Sequence, residues 1–217
     1  PRGHGLRALT LLTITGLVLV TARGLLTGNW WFFVMLIWNL TLAWFPLGVV
    51  MILLDLRRAR LASRWVMAGA LAMWLAFLPN APYIITDLFH IQHINESLLW
   101  FDTLTIFIFA MTGLLLGLYS TALVHRLIDP LAGRPLAWAL MLGCQMLSGF
   151  GIYLGRFGRW NSWQVMTHPF RLLRAITQAI QEPLALKLTL TYGFGLACLY
   201  VAFFVYVNGF KIARATV

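Results

Sequence analysis

Long apolar runs separated by short polar stretches make up most of the chain. About 20 consecutive apolar residues are needed to cross the roughly 30 Å hydrocarbon core of a bilayer as a helix. Six runs approach or exceed that length, at residues 6–26, 30–54, 65–88, 98–124, 135–154 and 184–208. The pattern predicts an all-α membrane protein, a single transmembrane domain over 1–217 built as a polytopic bundle of about six helices.

The third run differs from the others because two prolines interrupt it. Its uninterrupted part, 65–78, has fourteen residues, which reach only about 21 Å as an α-helix. Pro79 and Pro82 lack backbone donors and disfavour helix in the residues before them. We therefore expect a break at 79–82 in the outer half of the membrane, followed by a short helix from about 83. Irregular backbone at that depth must be buried in protein or line a wet cavity, so the break predicts a polar pocket.

The connection between the last two runs contains an amphipathic segment, HPFRLLRAITQAIQ. At helical spacing one face carries Phe170, Leu173, Ile176 and Ile180, and the other carries Arg171, Arg174, Gln178 and Gln181. Pro169 suits a first helical turn. This pattern is typical of a helix lying in the membrane interface, here over about 169–181.

The composition indicates a membrane protein, and the distribution of Lys and Arg predicts its orientation in the membrane. The chain is 61% hydrophobic and 10% charged, against about 25% charged residues in soluble domains. Its net charge of +10 is concentrated in short loops, which favours topology and anionic lipid over nucleic acid as the explanation. With both termini cytoplasmic, ten of the 16 Lys and Arg residues lie inside. The outer exceptions are Arg23 and the basic residues of 155–187.

Candidate chemistry collects on two outer segments, 79–97 and 155–183, which this topology brings to one face. The first supplies Tyr83, Asp87, His90, His93 and Glu96, and Asp102 follows near the start of the fourth run. The second supplies Arg156, Arg159, Trp160, Asn161, Trp163 and His168. The two segments are expected to line a shared pocket; the alternative is that their ion pairs only hold loops together.

Each residue type suggests a role. Asp87 and His90 share a helix face and are predicted to act as a catalytic acid–base pair. Arginine forks suit phosphate or carboxylate, and tryptophan is typical of headgroup depth. The predicted substrate-binding residues are Asn80, Tyr83, Asp102, Arg156, Arg159, Trp160, Asn161 and Trp163. The H-x-x-H spacing is too loose to assign a metal, and no cofactor is assigned.

Other polar residues within or beside the runs have structural interpretations. Asn39 lies inside the second run and is expected to tie helices together. His125, next to Arg126, is expected to be a solvated cap at an inner helix end. Gly113 and Gly117 are spaced for close helix contact. The connection after the fourth run is expected to turn back at Pro130 and Gly133.

Three stretches, LPNAPYIITDL, WFD and GFGIYLGRFGRWNSW, resemble a family of bacterial integral-membrane proteins defined by domain of unknown function 1361. The resemblance covers about 70–210. The matching positions are Pro79, Asn80, Pro82, Tyr83, Asp87, His90, Asp102, Gly149, Gly151, Tyr153, Arg156, Arg159, Trp160, Asn161 and Trp163. The resemblance implies a multi-pass protein of a bacterial inner membrane and leaves the reaction open.

Three functions are consistent with these residues. The first is binding or modification of an anionic lipid or lipid-linked substrate at an outward-facing pocket. The second is a non-catalytic subunit of a membrane complex or a small transporter, in which the same residues form a structural ion-pair network. The third is an accessory subunit that contacts a pigment or haem through His90 or His125. Expected partners are membrane lipids, with further copies of the chain or other membrane subunits, and not nucleic acid.

Overall fold

The computed structural model describes the backbone of residues 2–93, 98–160 and 164–215, and the side chains of 3–89, 98–160, 164 and 167–208. The regular structure in these ranges is helical. The helices are α1 (Arg2–Thr27), α2 (Trp31–Arg58), α3 (Arg64–Phe77), α4 (Asn80–Tyr83), a 3₁₀ helix (Ile84–His93), α5 (Leu99–Ala132), α6 (Arg134–Arg156), α7 (Gln164–Thr167), α8 (Pro169–Ile180) and α9 (Pro183–Ala215).

Six helical stretches are long and apolar enough to cross a membrane. They are Gly3–Thr27, Trp31–Arg58, Arg64–Phe89, Leu99–Ala132, Arg134–Arg156 and Pro183–Asn208. The predicted polytopic α-helical membrane fold is confirmed. The chain separates into two compact units, residues 1–119 and 120–217, with the division inside α5.

The third crossing is broken where the prolines predict it, but the break is milder than expected. Pro79 (φ −60°, ψ −24°) and Ile84 (φ −57°, ψ −23°) both keep helical dihedrals, because the fixed φ of proline fits a helix. What changes is the hydrogen bonding. Pro82 has no N–H to offer the carbonyl of Leu78, which instead accepts from Ala81 at 3.1 Å, three residues ahead.

The short helix expected after the break is present, and it is a 3₁₀ helix. It runs from Ile84 to His93, well beyond the three or four residues usual for this geometry. Because a 3₁₀ helix rises about 2.0 Å per residue against 1.5 Å for an α-helix, it extends the chain further. The short α3 therefore completes its crossing with few residues.

Two glycines of α5 accommodate the break. A Cβ on Gly113 would overlap the carbonyl oxygen of Ala81, and one on Gly117 would lie 3.0 Å from the Ala81 Cβ. The prediction that this glycine pair allows close helix contact is confirmed, and its partner is α4. In the second unit Gly149 similarly meets Gly193, where its Cβ would lie 2.6 Å from the Gly193 nitrogen.

The predicted turn at Pro130 is wrong, and the predicted turn at Gly133 is confirmed. The helix of α5 continues through Pro130 to Ala132, and the chain turns at Gly133 with φ of 81°. Pro130 is tolerated because it lies in the last turn, where it removes a single hydrogen bond. The amphipathic segment is helical as predicted, over Pro169–Ile180.

We expect Gly113→Ala to destabilise the protein by about 1–3 kcal/mol, because the new methyl group would meet a backbone carbonyl that cannot rotate away. The matched control is Gly69→Ala in α3, where an added Cβ meets nothing within 4 Å. That change should be neutral or stabilising by up to about 1 kcal/mol through helix propensity. Thermal unfolding in detergent compares the two; equal melting temperatures would contradict the packing described.

Candidate functional site

Asp87 is a buried carboxylate held by a side chain from another helix. It lies on the 3₁₀ helix and is 1% exposed. The Nδ2 of Asn39 in α2 donates a 2.7 Å hydrogen bond to its Oδ2, which confirms that Asn39 ties helices together. Asn39 is eight residues into α2, about 12 Å along its axis. The carboxylate is therefore well inside the helical bundle of the first unit.

Asp102 forms a buried ion pair with Arg23. The Nε of Arg23 donates to Oδ1 at 2.6 Å, and its Nη2 donates to Oδ2 at 3.0 Å. The Asp102 side chain is fully buried and that of Arg23 is 10% exposed. The guanidinium carbon lies 4.2 Å from the ring centroid of Phe32, a cation–π contact. The predicted topology places Arg23 on the same face as Asp102, but no pattern in the sequence indicates that the two residues pair.

Both acidic side chains are connected to α2, Asp87 directly through Asn39 and Asp102 indirectly through Arg23. Phe32, beneath Arg23, and Asn39, bonded to Asp87, are seven residues apart on one face of this helix, about 10 Å along its axis. Asn80 and Tyr83 are half-buried on α4, and the Thr86 hydroxyl donates to the Tyr83 carbonyl at 2.7 Å. Four predicted site residues whose side chains the structure describes therefore lie in the first unit.

The predicted basic residues lie in the second unit, in the turn that ends α6. Arg156 is the last residue of α6. The Gly158 N–H donates to the Tyr153 carbonyl at 3.3 Å and the Trp160 N–H donates to the Leu154 carbonyl at 3.1 Å. A Cβ on Gly158 would lie 2.7 Å from that second carbonyl oxygen, so the turn needs glycine there.

Arg159 has a left-handed backbone, with φ of 54°. Its side chain is exposed, while those of Arg156 and Trp160 are half-buried. This conformation costs a residue with a Cβ roughly 1–2 kcal/mol. The turn presents these two arginines and a tryptophan at the end of a membrane-spanning helix.

Several predicted residues lie outside the described part of the chain. These are Glu96, Asn161 and Trp163, together with the side chains of His90 and His93. His168 is described; its side chain is exposed, with Nδ1 3.0 Å from the Thr167 hydroxyl. No group of three or more metal-binding side chains occurs among the described residues.

His125 is not the solvated cap that the sequence suggested. It is 2% exposed, and its Nδ1 lies 2.6 Å from the Tyr200 hydroxyl oxygen. The ring stacks on Phe204 and meets Trp138 edge-on, both at 4.7 Å between centroids. The expectation failed because these aromatic partners come from α6 and α9, far from His125 in sequence.

Six apolar spans and carboxylates buried within them define a multi-pass α-helical membrane protein. A family model described as "Protein of unknown function (DUF1361)" matches residues 38–201, and the chain belongs to this family. The match includes Asp87, Asp102, Arg156 and Arg159 and begins after Arg23. No curated protein and no solved structure gave a significant match.

We expect Asp102→Asn to destabilise the protein by about 3–5 kcal/mol, because it leaves the buried Arg23 charge uncompensated. Asp55→Asn is the matched control, since the Asp55–Arg58 pair is exposed, with side chains 69% and 64% accessible. Removing it should cost less than about 1 kcal/mol. Thermal unfolding in detergent measures both; a stable Asp102→Asn protein would show that the buried pair contributes little.

Proposed function

We propose that this protein binds an anionic lipid, or a lipid-linked anionic substrate, through the turn formed by Arg156, Gly158, Arg159 and Trp160 at the end of α6. The left-handed conformation of Arg159 is the observation on which the proposal rests. Glycine is the residue that fits such a position without strain. Unfavourable backbone conformations concentrate at functional sites. Because Arg60 shares this conformation, the strain at Arg159 supports the proposal only together with the chemistry of the turn around it.

The chemistry of the turn fits an anionic headgroup. Guanidinium groups bind phosphate or carboxylate oxygens through paired hydrogen bonds, and two arginines three residues apart offer two such forks. A tryptophan at the end of a span suits the headgroup region. The positive charges of the two arginines also interact favourably with the negative C-terminal end of the α6 dipole. This interaction stabilises the turn in the absence of ligand.

Helix α8 supports a location at the membrane surface. Its apolar residues Phe170, Leu173 and Ile180 are 84%, 57% and 68% exposed. At helical spacing Arg171 and Gln178 lie on the face opposite Leu173 and Ile180. Only Gln181 and Glu182 separate α8 from the start of α9, so the end of α8 lies beside a membrane span. We propose that α8 lies in the interface with its apolar face in lipid.

The proposal includes an orientation. With six crossings both termini lie on one side. The excess of Lys and Arg in the two terminal segments and in loops 55–64 and 125–134 favours the cytoplasm of a bacterial cell as that side, within the inner membrane. The end of α6 then faces outward. Its basic residues are exceptions to the positive-inside rule, and an anionic ligand gives them a reason to be there.

Catalysis is a separate part of the proposal. A carboxylate buried in a span is costly and commonly functional, and Asp87 accepts a hydrogen bond from Asn39 that orients one of its oxygens. We propose Asp87 and His90 as the pair that would transfer protons if the lipid is modified as well as bound.

A second candidate function is favoured by one observation. Asp102 was predicted to bind substrate, but its ion pair with Arg23 gives it a structural role. Such a role is expected in a non-catalytic subunit or a small transporter whose charged residues hold helices together. Under this alternative the α6 turn would contribute stability and bind nothing.

We expect Arg159→Gly to reduce stabilisation by anionic lipid without lowering stability in its absence. Glycine removes the left-handed strain, so the melting temperature in detergent should stay the same or rise. Added phosphatidylglycerol should raise the melting temperature of the wild-type protein, because a ligand that binds only the folded state stabilises it. In the variant this rise should be smaller.

Arg60→Gly is the matched control. Arg60 follows the end of α2 with φ of 59°, so this change relieves the same strain and removes one cation from a helix end. It should keep the lipid-induced rise. Equal responses in the two variants would indicate a general charge effect, and a melting temperature that falls in Arg159→Gly alone would favour the structural alternative.

Spin labels can test the position of α8. In a chain with Cys144 and Cys198 replaced by alanine, labels at Leu173→Cys and Gln178→Cys fall on opposite faces. We expect the first to be relaxed mainly by oxygen, which concentrates in lipid, and the second by a water-soluble nickel chelate. Two labels with the same water accessibility would place α8 away from the interface.

A further inference from the structure

Arg23 has a hydrogen-bonding group that its ion pair does not use. Its residue is 8% exposed, and its Nε and Nη2 both donate to Asp102. The remaining nitrogen, Nη1, is buried and has no hydrogen-bond partner. Among the described residues it is the one buried side-chain nitrogen or oxygen atom of which this is true. In the planar guanidinium fork, Nη1 is directed away from the carboxylate that the other two nitrogens face.

A purely structural ion pair does not require this third nitrogen. Buried polar groups in proteins nearly always have a partner, since burial costs a donor its hydration without replacing it. Because Nη1 is buried, bulk water does not compensate for the loss. An acceptor that the described polypeptide does not supply is therefore expected at Nη1.

The position of Arg23 indicates which acceptor is at hand. Arg23 is one turn from the end of α1, Phe32 is the second residue of α2, and Asp102 is the fourth residue of α5. Three spans therefore end together around the guanidinium. Trp30 packs against Gly24, and Trp31 is 76% exposed, an arrangement typical of lipid headgroup depth.

The start of α2 adds a second attraction for a negatively charged oxygen. Trp30 precedes the helix and makes no side-chain capping bond, and Asn29 caps only the Trp31 N–H, at 3.1 Å. The first turn of a helix presents N–H groups and the positive end of its dipole. Since Asp102 already balances the Arg23 charge, this helix end leaves the region weakly positive.

We propose that Arg23 Nη1 and the start of α2 bind the phosphodiester of a membrane phospholipid, with Asp102 as the positioning residue that fixes the guanidinium. The site lies in the first unit and is independent of the α6 turn. Because Nη1 is buried, a side chain at the rim must turn aside on binding. Trp30, 44% exposed and resting on Gly24, is the one we expect to move.

Arg23→Lys is the decisive variant, since lysine keeps a cation for Asp102 and lacks the third nitrogen. Native mass spectrometry of the full chain, titrated with phosphatidylglycerol, counts bound lipids. We expect about tenfold weaker binding of one lipid molecule in the variant. Arg7→Lys, an exposed position on the same helix, should bind as the wild type does, and the loss should add to that caused by Arg159→Gly.

Three results would overturn the proposal. Unchanged lipid binding by a folded Arg23→Lys protein would exclude a role for Nη1. Competition by inorganic phosphate at the same concentration as the lipid would identify a site for the free anion. If the variant does not fold, density from the wild-type protein in phosphatidylglycerol nanodiscs decides: a phosphate group at Nη1 supports the proposal, and a single water contradicts it.

Discussion

A carboxylate placed inside a membrane span must be compensated by the protein, and this requirement organises the first unit. Asp102 is compensated by the fork of Arg23, which lies over Phe32, so a single ion pair connects α1, α2 and α5. Asp87 receives the Asn39 amide from α2. Because an uncompensated buried charge costs several kilocalories per mole, on the order of 3–5, these contacts restrict how the helices can be arranged. The same helix, α2, takes part in both.

The interrupted third crossing shows that buried backbone groups, like buried charges, need partners within the protein. Each proline removes a donor, and in lipid the freed carbonyl needs another partner. Leu78 finds one in Ala81 by tightening to 3₁₀ hydrogen bonding, which brings the Ala81 carbonyl against α5. Only the absence of a side chain at Gly113 permits that approach. The prolines of one helix and the glycines of another are thus parts of one solution, and they fix the start of the segment that carries Asp87.

What could be predicted from the sequence follows from the range of the interaction concerned. The six spans and the break at Pro79 and Pro82 depend on local apolar length and on local donors, so they could be predicted. The partner of Asp102 is 79 residues away, and the partner of His125 is 75 residues away. Pairings of this kind depend on helix rotation and register, which no short pattern specifies. The position of Asn39 inside a span predicts that it connects helices, but it does not predict which helix its side chain contacts.

The Arg23–Asp102 ion pair also bears on the basic residues that the predicted topology places on the outer side. If both termini are cytoplasmic, Arg23 and the basic residues of 155–187 are the exceptions to the positive-inside rule. The buried ion pair accounts for Arg23, because its charge is neutralised within the protein and contributes little to topology. The exceptions that remain then belong to one connection, which begins with a strained arginine and continues into an amphipathic helix with arginines on its polar face. Under that topology insertion would favour keeping such charges inside, and the proposed anionic ligand would account for their placement outside.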